Sequence, residues 1–173
     1  MNTFVGQQAP DFKLQGVSHE KFEDYRLSDF RGKWVILFFY PLDFTFICPT
    51  EITGFSKQYE EFKKLNAAVL GVSTDSVHSH KAWLKELGPL NYPLLADMTH
   101  KVSQDYGVLD ENEGTAIRGT FVVDPDGFVR YALYHDNGVG RSVKETLRVL
   151  NALQSGELCP VEWTPGEKTL GKK

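Results

Sequence analysis

Cysteine is scarce in this chain of 173 residues: there are two, Cys48 and Cys159, far apart in the sequence. A secreted disulfide scaffold carries more of them in fewer residues, so that class is excluded. The separation also leaves no CxxC pair of the thiol–disulfide oxidoreductase kind and no zinc-ligand spacing. Long apolar runs are missing too. The longest, Trp34 to Tyr40, falls far short of a bilayer span. Basic and acidic residues are interspersed at a net charge of −4, without the Lys/Arg stripe that nucleic acid or an anionic membrane surface would attract. Met1-Asn2-Thr3-Phe4 lacks the charged and apolar regions of a secretory leader, and a cytoplasmic chain is the expectation.

What is present reads as a globular domain. The composition is 41% hydrophobic and 24% charged, and the length suits one core rather than two. Residues 4–32 are turn-rich, with short extended pieces near residues 9–14 and 22–27 and a single turn at 27–33 that Ser28 could cap. The β-branched and aromatic run Trp34 to Tyr40 predicts a central strand buried on both faces. Beyond Cys48, Ile52, Phe55, Tyr59, Phe62 and Leu65 recur at helical spacing, with Pro49 in the first turn. Residues 68–74 form the next strand, so strand, helix and strand make a parallel crossover. A helix over 77–87, a short extended segment at 92–96, a brief helix over 98–106 and a hairpin turning at Asp124-Pro125-Asp126-Gly127 follow. Ser142-Val143-Lys144-Glu145 is a capping box for a last helix that Gly156 ends. The expectation is one α/β domain over 1–173 with a mixed sheet, compact over about 4–156, and a polar tail over 157–173.

The stretch Phe38 to Glu51 carries the chemistry. It leaves a strand at Pro41 and places a thiol, Cys48, at the mouth of a helix. Unpaired N–H groups and the positive dipole end favour an anion there. Thr45, three residues earlier, is near enough for its hydroxyl to reach the sulfur or a bound oxygen. The spacing Pro41-x-x-x-Thr45-x-x-Cys48 resembles the active-site signature of the peroxiredoxins, and the block Phe39 to Glu51 is similar to that of the typical two-cysteine group, including the peroxidase subunits of bacterial alkyl hydroperoxide reductase. Ala9-Pro10-Asp11-Phe12, Gly71 to Ser76 with Trp83, Pro93 to Asp97, Arg118-Gly119-Thr120-Phe121 and Leu158-Cys159-Pro160 with Trp163 to Gly166 extend the resemblance over nearly the whole chain.

The resemblance implies a thioredoxin-like fold and a peroxidase that needs no cofactor and no metal. Cys48 would be the peroxidatic thiolate. Thr45 and Arg118 would supply donors to the peroxide oxygens, and Pro41 would shield the sulfur, with Tyr40 and Glu51 as weaker pocket candidates and Trp83 as packing. Cys159 would be the resolving thiol, forming a disulfide with Cys48 of a second chain. That implies a homodimer, commonly a decamer of five dimers, reduced by thioredoxin or by an alkyl hydroperoxide reductase flavoprotein. Two alternatives stay open: a one-cysteine peroxidase in which Cys159 is incidental, and a thioredoxin-like chaperone or binding module. His78 and His80 diverge on a helix and read as a solvated helix start. Asn137 to Ser142 reads as the loop into the capping box, and Asp110 to Gly114 as an acidic surface loop.

Oxidation-sensitive relatives carry a Gly-Gly-Leu-Gly motif where this chain has Lys85-Glu86-Leu87-Gly88, and a C-terminal helix with a Tyr-Phe pair where this sequence stops at Lys173. With less covering the Cys48 helix, its sulfenic acid is expected to be resolved quickly and to resist overoxidation. Mass spectra taken during turnover should show little sulfinic Cys48; its accumulation at modest peroxide would count against the expectation.

Overall fold

The computed structural model describes residues 3–172, and they divide after Arg141 into two compact units. The first unit is built on a mixed sheet. Its strands are β1 (Lys13–Ser18), β2 (Lys21–Arg26), β3 (Trp34–Phe39), β4 (Ala67–Ser73), β5 (Leu94–Ala96), β8 (Arg118–Val123) and β9 (Val129–His135), ordered β2-β1-β5-β4-β3-β8-β9. The helices of this unit are α1 (Cys48–Lys57), α2 (Tyr59–Lys64), α3 (Val77–Leu87) and α4 (Lys101–Asp105). A separate two-residue ladder joins β6 (Leu109–Asp110) to β7 (Thr115–Ala116).

The run at Trp34 to Tyr40 lies in the middle of the sheet, as its composition predicts. β3 pairs parallel with β4 on one side and antiparallel with β8 on the other. Alternate residues therefore serve two cores. Val35, Leu37 and Phe39 enter a cluster with Leu70, Tyr106 and Phe121. Phe38 turns to the opposite face and stacks on Phe55 of α1, ring centroids 4.5 Å apart. Strand, helix and strand at β3, α1–α2 and β4 form the expected parallel crossover.

Several local expectations change. The helix after Cys48 breaks at Gln58, whose φ/ψ of −98°/7° interrupts the helical pattern before α2. Ser28 does not cap the turn at Leu27–Phe30; its own N–H is bound by the Asp11 carboxylate at 3.0 Å. The acidic loop around residues 110–114 closes the β6–β7 ladder, with Asp110 accepting the N–H groups of Asn112 and Glu113. α3 begins after Ser76, which accepts from the Ser79 N–H at 3.2 Å, and it stops at Gly88, φ 80°.

The second unit, Ser142 onward, holds α5 (Val143–Ser155) and the segment after it. Half of the expected capping box forms. Ser142 accepts from the Glu145 N–H at 3.1 Å, but the Glu145 carboxylate turns forward to Arg148 instead of back. The polar segment folds on itself: Leu158 exchanges backbone hydrogen bonds with Gly171 and Leu170, and Trp163 is buried.

β4 approaches its neighbours closely at Gly71, where an added Cβ would lie 2.8 Å from Phe38 Cζ and 2.9 Å from Leu94 Cδ2. Both neighbours are wedged in the core, so Gly71→Ala should cost about 1–3 kcal/mol of stability. Denaturant unfolding of the two proteins checks this; an unchanged midpoint would contradict it.

Candidate active site

A pocket of about 250 Å³ opens at the junction of the β3–α1 loop, α1 and β8. It is lined by Pro41, Thr45, Phe46, Ile47, Cys48, Arg118 and Asn137. Cys48 is the first residue of α1; its side chain is buried and borders this opening. Ile47, before it, offers no side-chain cap, and Pro49 has no N–H to satisfy. The Thr50 and Glu51 N–H groups close on the Ile47 carbonyl at 3.0 and 3.3 Å, so no side-chain cap stands between the helix start and the pocket.

Arg118, the first residue of β8, forms the floor. Its Nη1 donates to Cys48 Sγ at 3.4 Å and to Glu51 Oε2 at 2.6 Å, while its Nε donates to the Asn137 carbonyl at 3.0 Å. A guanidinium fixed in this way sets a cation against the sulfur and facing the pocket.

Arg118 is itself held in place. Glu51, in the first turn of α1, is gripped from the other side by Arg141, whose backbone N–H and Nε both reach Oε1 at 2.9 Å and whose Nη2 reaches Oε2 at 2.9 Å. Arg141 also donates to the Gly119 carbonyl at 2.7 Å and lies over the Phe38 ring, 5.0 Å from its centroid. Burial alone would raise the Glu51 carboxyl. The hydrogen bonds and charge of Arg141, with the charge of Arg118, more than offset that and hold it below its ordinary 4.5.

The structure brings Cys48, Thr45, Pro41 and Arg118 to one pocket and sets Glu51 directly behind it. Thr45 is oriented differently from the sequence expectation. Its hydroxyl proton goes to the Leu42 carbonyl at 2.9 Å, so the oxygen can offer lone pairs to a pocket ligand and does not donate to the sulfur. Tyr40 does not line the pocket. It is fully buried, and its hydroxyl donates to Asp43 at 2.9 Å; burial, with the Asp43 charge beside it, pushes that hydroxyl well above 10.0. Trp83 packs against Tyr40 and Phe44. His80 is not solvated: it is completely buried and its Nδ1 meets Asp43 Oδ2 at 2.8 Å. Arg141 escaped the sequence reading, although an arginine closing the glycine-containing loop 138–141 is the signal that could have marked it.

In the second unit Cys159 is partly exposed. Its sulfur lies 3.5 Å from Ser155 Oγ, 3.8 Å from the Glu157 carbonyl and 3.9 Å from the Ala152 carbonyl. Both cysteines are free thiols. Among the described residues no helix is long and apolar enough to cross a membrane, and no group of three or more His, Cys, Asp or Glu side chains forms a metal-binding cluster.

A buried sulfur at an uncapped helix mouth, with a fixed arginine beside it, defines an enzyme that uses a cysteine as its nucleophile. A family model described as the AhpC/TSA family matches residues 5–132. The chain is 53% identical over 177 residues to "Peroxiredoxin prdx-2" of Caenorhabditis elegans, covering 96% of this chain and 88% of that protein. It is 53% identical over 175 residues to "Putative peroxiredoxin YkuU" of Bacillus subtilis, with 96% and 97% covered. Among solved structures, the reduced 2-Cys peroxiredoxin of Plasmodium vivax superposes with a TM-score of 0.94 at 38% identity, over 97% of this chain and 93% of that one. The chain belongs to the AhpC/TSA family of peroxiredoxins; it has their thioredoxin-like fold and is a thiol peroxidase.

The buried triad sets a pH dependence. A carboxyl that titrates lower in the folded than in the unfolded chain contributes stability that is complete above its unfolded value and is lost as the pH falls through the folded one. Glu51→Gln, which leaves two buried guanidiniums facing a neutral amide, should cost about 3 kcal/mol near neutrality. In urea unfolding the gap to the wild type should close in acid; a gap independent of pH would contradict the assignment.

Proposed function

We propose that the chain reduces hydrogen peroxide and organic hydroperoxides at Cys48, and that Cys159 of a second chain resolves the product. The observation that carries this reading is the Arg118 guanidinium 3.4 Å from Cys48 Sγ, held there by Glu51. The Cys48 thiolate attacks the terminal peroxide oxygen. An S–O bond forms, the O–O bond breaks, and the leaving oxygen departs as alcohol or water once it takes a proton. Negative charge spreads along the S···O···O line, and a fixed cation beside that line stabilises it more than it stabilises the ground state. Arg118 faces it. Thr45, with its own proton committed to Leu42, accepts a hydrogen bond from the peroxide O–H and so orients the reactant. Pro41 walls the pocket and limits water at the sulfur.

In the second step the Cys159 thiol attacks the Cys48 sulfenic sulfur, an S–S bond forms and water leaves. Pairing between chains requires a homodimer, and a decamer of five dimers is the assembly we propose. A dithiol reductant, thioredoxin or an alkyl hydroperoxide reductase flavoprotein, then restores both thiols. We further propose that residues 1–173 act as one peroxiredoxin domain, with 157–173 presenting the resolving thiol, and that the protein works in the cytoplasm.

Non-reducing electrophoresis after one equivalent of hydrogen peroxide tests the scheme. A disulfide-linked dimer is expected in the wild type and should vanish in Cys48→Ser and in Cys159→Ser. If Cys159→Ser retains full thioredoxin-driven turnover, the enzyme is a one-cysteine peroxidase. If Cys48 is inert to peroxide, the peroxidase site lies elsewhere. Arg118→Lys keeps the charge but loses the fork that bridges sulfur and carboxylate, and should slow peroxide reduction by about 100-fold.

A further inference from the structure

The loop from Pro41 to Ile47 has no regular secondary structure, yet it carries Pro41 and Thr45 into the pocket and delivers Cys48 to the start of α1. Leu42, Phe44 and Phe46 are exposed, Phe46 at 95%, and Pro41, Thr45 and Ile47 are half-buried. Asp43 is the exception, at 7%. A carboxylate is costly to bury, so its partners matter. Oδ1 accepts from Tyr40 Oη at 2.9 Å, at the end of β3. Oδ2 accepts from Ser79 Oγ at 2.7 Å and meets His80 Nδ1 at 2.8 Å, both on α3. The Asp43 backbone N–H donates to Asp75 Oδ2 at 2.7 Å, and Asp75 in turn is bound to Ser73 at the end of β4.

His80 passes the restraint on to the sheet, because its Nε2 lies 3.1 Å from the Leu95 carbonyl in β5. A carbonyl oxygen can only accept, so Nε2 carries a proton. The contact between Nδ1 and a carboxylate oxygen at 2.8 Å needs a second proton between the two atoms. The groups facing His80 are Asp43 from the loop, Asp75 from the β4–α3 connection and the Tyr40 hydroxyl from β3, the first two acidic.

We propose that Asp43 is a positioning residue for the peroxide reaction. Fastened to β3, β4 and α3, and through His80 to β5, it fixes the loop so that Thr45 and the mouth of α1 stand in register with Arg118 across the pocket. An apolar residue would fill the same space without setting this register. Directional bonds from three elements set both the position and the twist of the loop, and an error of about 1 Å in such a site can cost on the order of 100-fold in rate. The inference rests on the reading of Cys48 as the peroxidatic residue.

Single-turnover oxidation of Cys48 by hydrogen peroxide tests it on the full chain. Asp43→Ala should react at least about tenfold more slowly. Asp43→Asn should stay within about threefold of the wild type, because the amide can donate to a neutral His80 Nδ1 and so supply the missing proton itself. A folded Asp43→Ala within twofold of the wild type would overturn the proposal, as would equal losses in the two variants. A second arm needs no variant. In wild-type protein labelled with 15N-histidine, a solvent-protected proton resonance downfield of the amides should report the His80 Nδ1 hydrogen bond, and its absence from the folded protein would sink the idea. A wild type whose Cys48 does not react with peroxide would refute the underlying peroxidase reading instead.

Discussion

The buried carboxylate of Glu51 holds two guanidiniums that would otherwise repel each other. Its oxygens take four donors, one from Arg118 and three from Arg141. The three side chains come from α1, β8 and the loop before α5, so one ion cluster ties the helix that carries Cys48 to the sheet beside it. The charges do not balance. Two arginines and one glutamate leave one positive charge in surroundings where charge is poorly solvated, and Arg118 points its share at the Cys48 sulfur. In the proposed reaction a surplus of this sign stabilises a transition state that spreads negative charge over sulfur and oxygen.

The loop and helix facing that cation break ordinary local rules where the chemistry is placed. A helix start normally carries Ser, Thr, Asp or Asn as its cap. Here Ile47 stands there without a side-chain bond, and its carbonyl takes the N–H groups of Thr50 and Glu51, so no side-chain cap fills the helix mouth beside Cys48. Phe44 sits at φ 55°, a conformation that a bulky residue adopts only when the surroundings impose it. Local conflicts of this kind are expected at functional sites and need compensation elsewhere. The compensation lies in the Asp43 network and in the packing of Phe44 against Trp83.

Much of this was legible in the sequence, and the failures have physical causes. β3, β4 and the β8–β9 hairpin were readable because each is buried enough to leave an unbroken apolar run or a turn between two. β2 was readable only as a short strand because it is an edge with almost every side chain exposed, so its pairing with β1 left no pattern. The Pro41, Thr45, Cys48 spacing located three residues that share one pocket, since they lie within one short stretch of chain. Arg141 was missed because its partner is 90 residues away and ion pairing across that distance leaves no periodic trace. His80 was misread for another reason. Its neighbours His78 and Ser79 are polar, yet it shares a helix face with Val77 and Trp83, both buried, at spacings of three. The stripe was visible, and the polarity of the residue hid it.

The two thiols show how strongly neighbours set the chemistry of one functional group. Cys48 receives a hydrogen bond from a cation. Cys159 meets the reverse. Ser155 already donates its proton to the Ala152 carbonyl at 2.8 Å and accepts from the Glu157 N–H at 3.2 Å, and the remaining neighbours are carbonyl oxygens, so the Cys159 S–H is the group that gives. A sulfur that receives from a guanidinium is prepared to attack an electron-poor oxygen. A sulfur that donates to carbonyls has no cation among those partners. The division of labour proposed for the pair therefore does not depend on the reach of either side chain alone. It rests as well on the sign of the groups around each sulfur: in the proposed scheme peroxide meets Cys48 first, and Cys159 meets a sulfenic acid already formed.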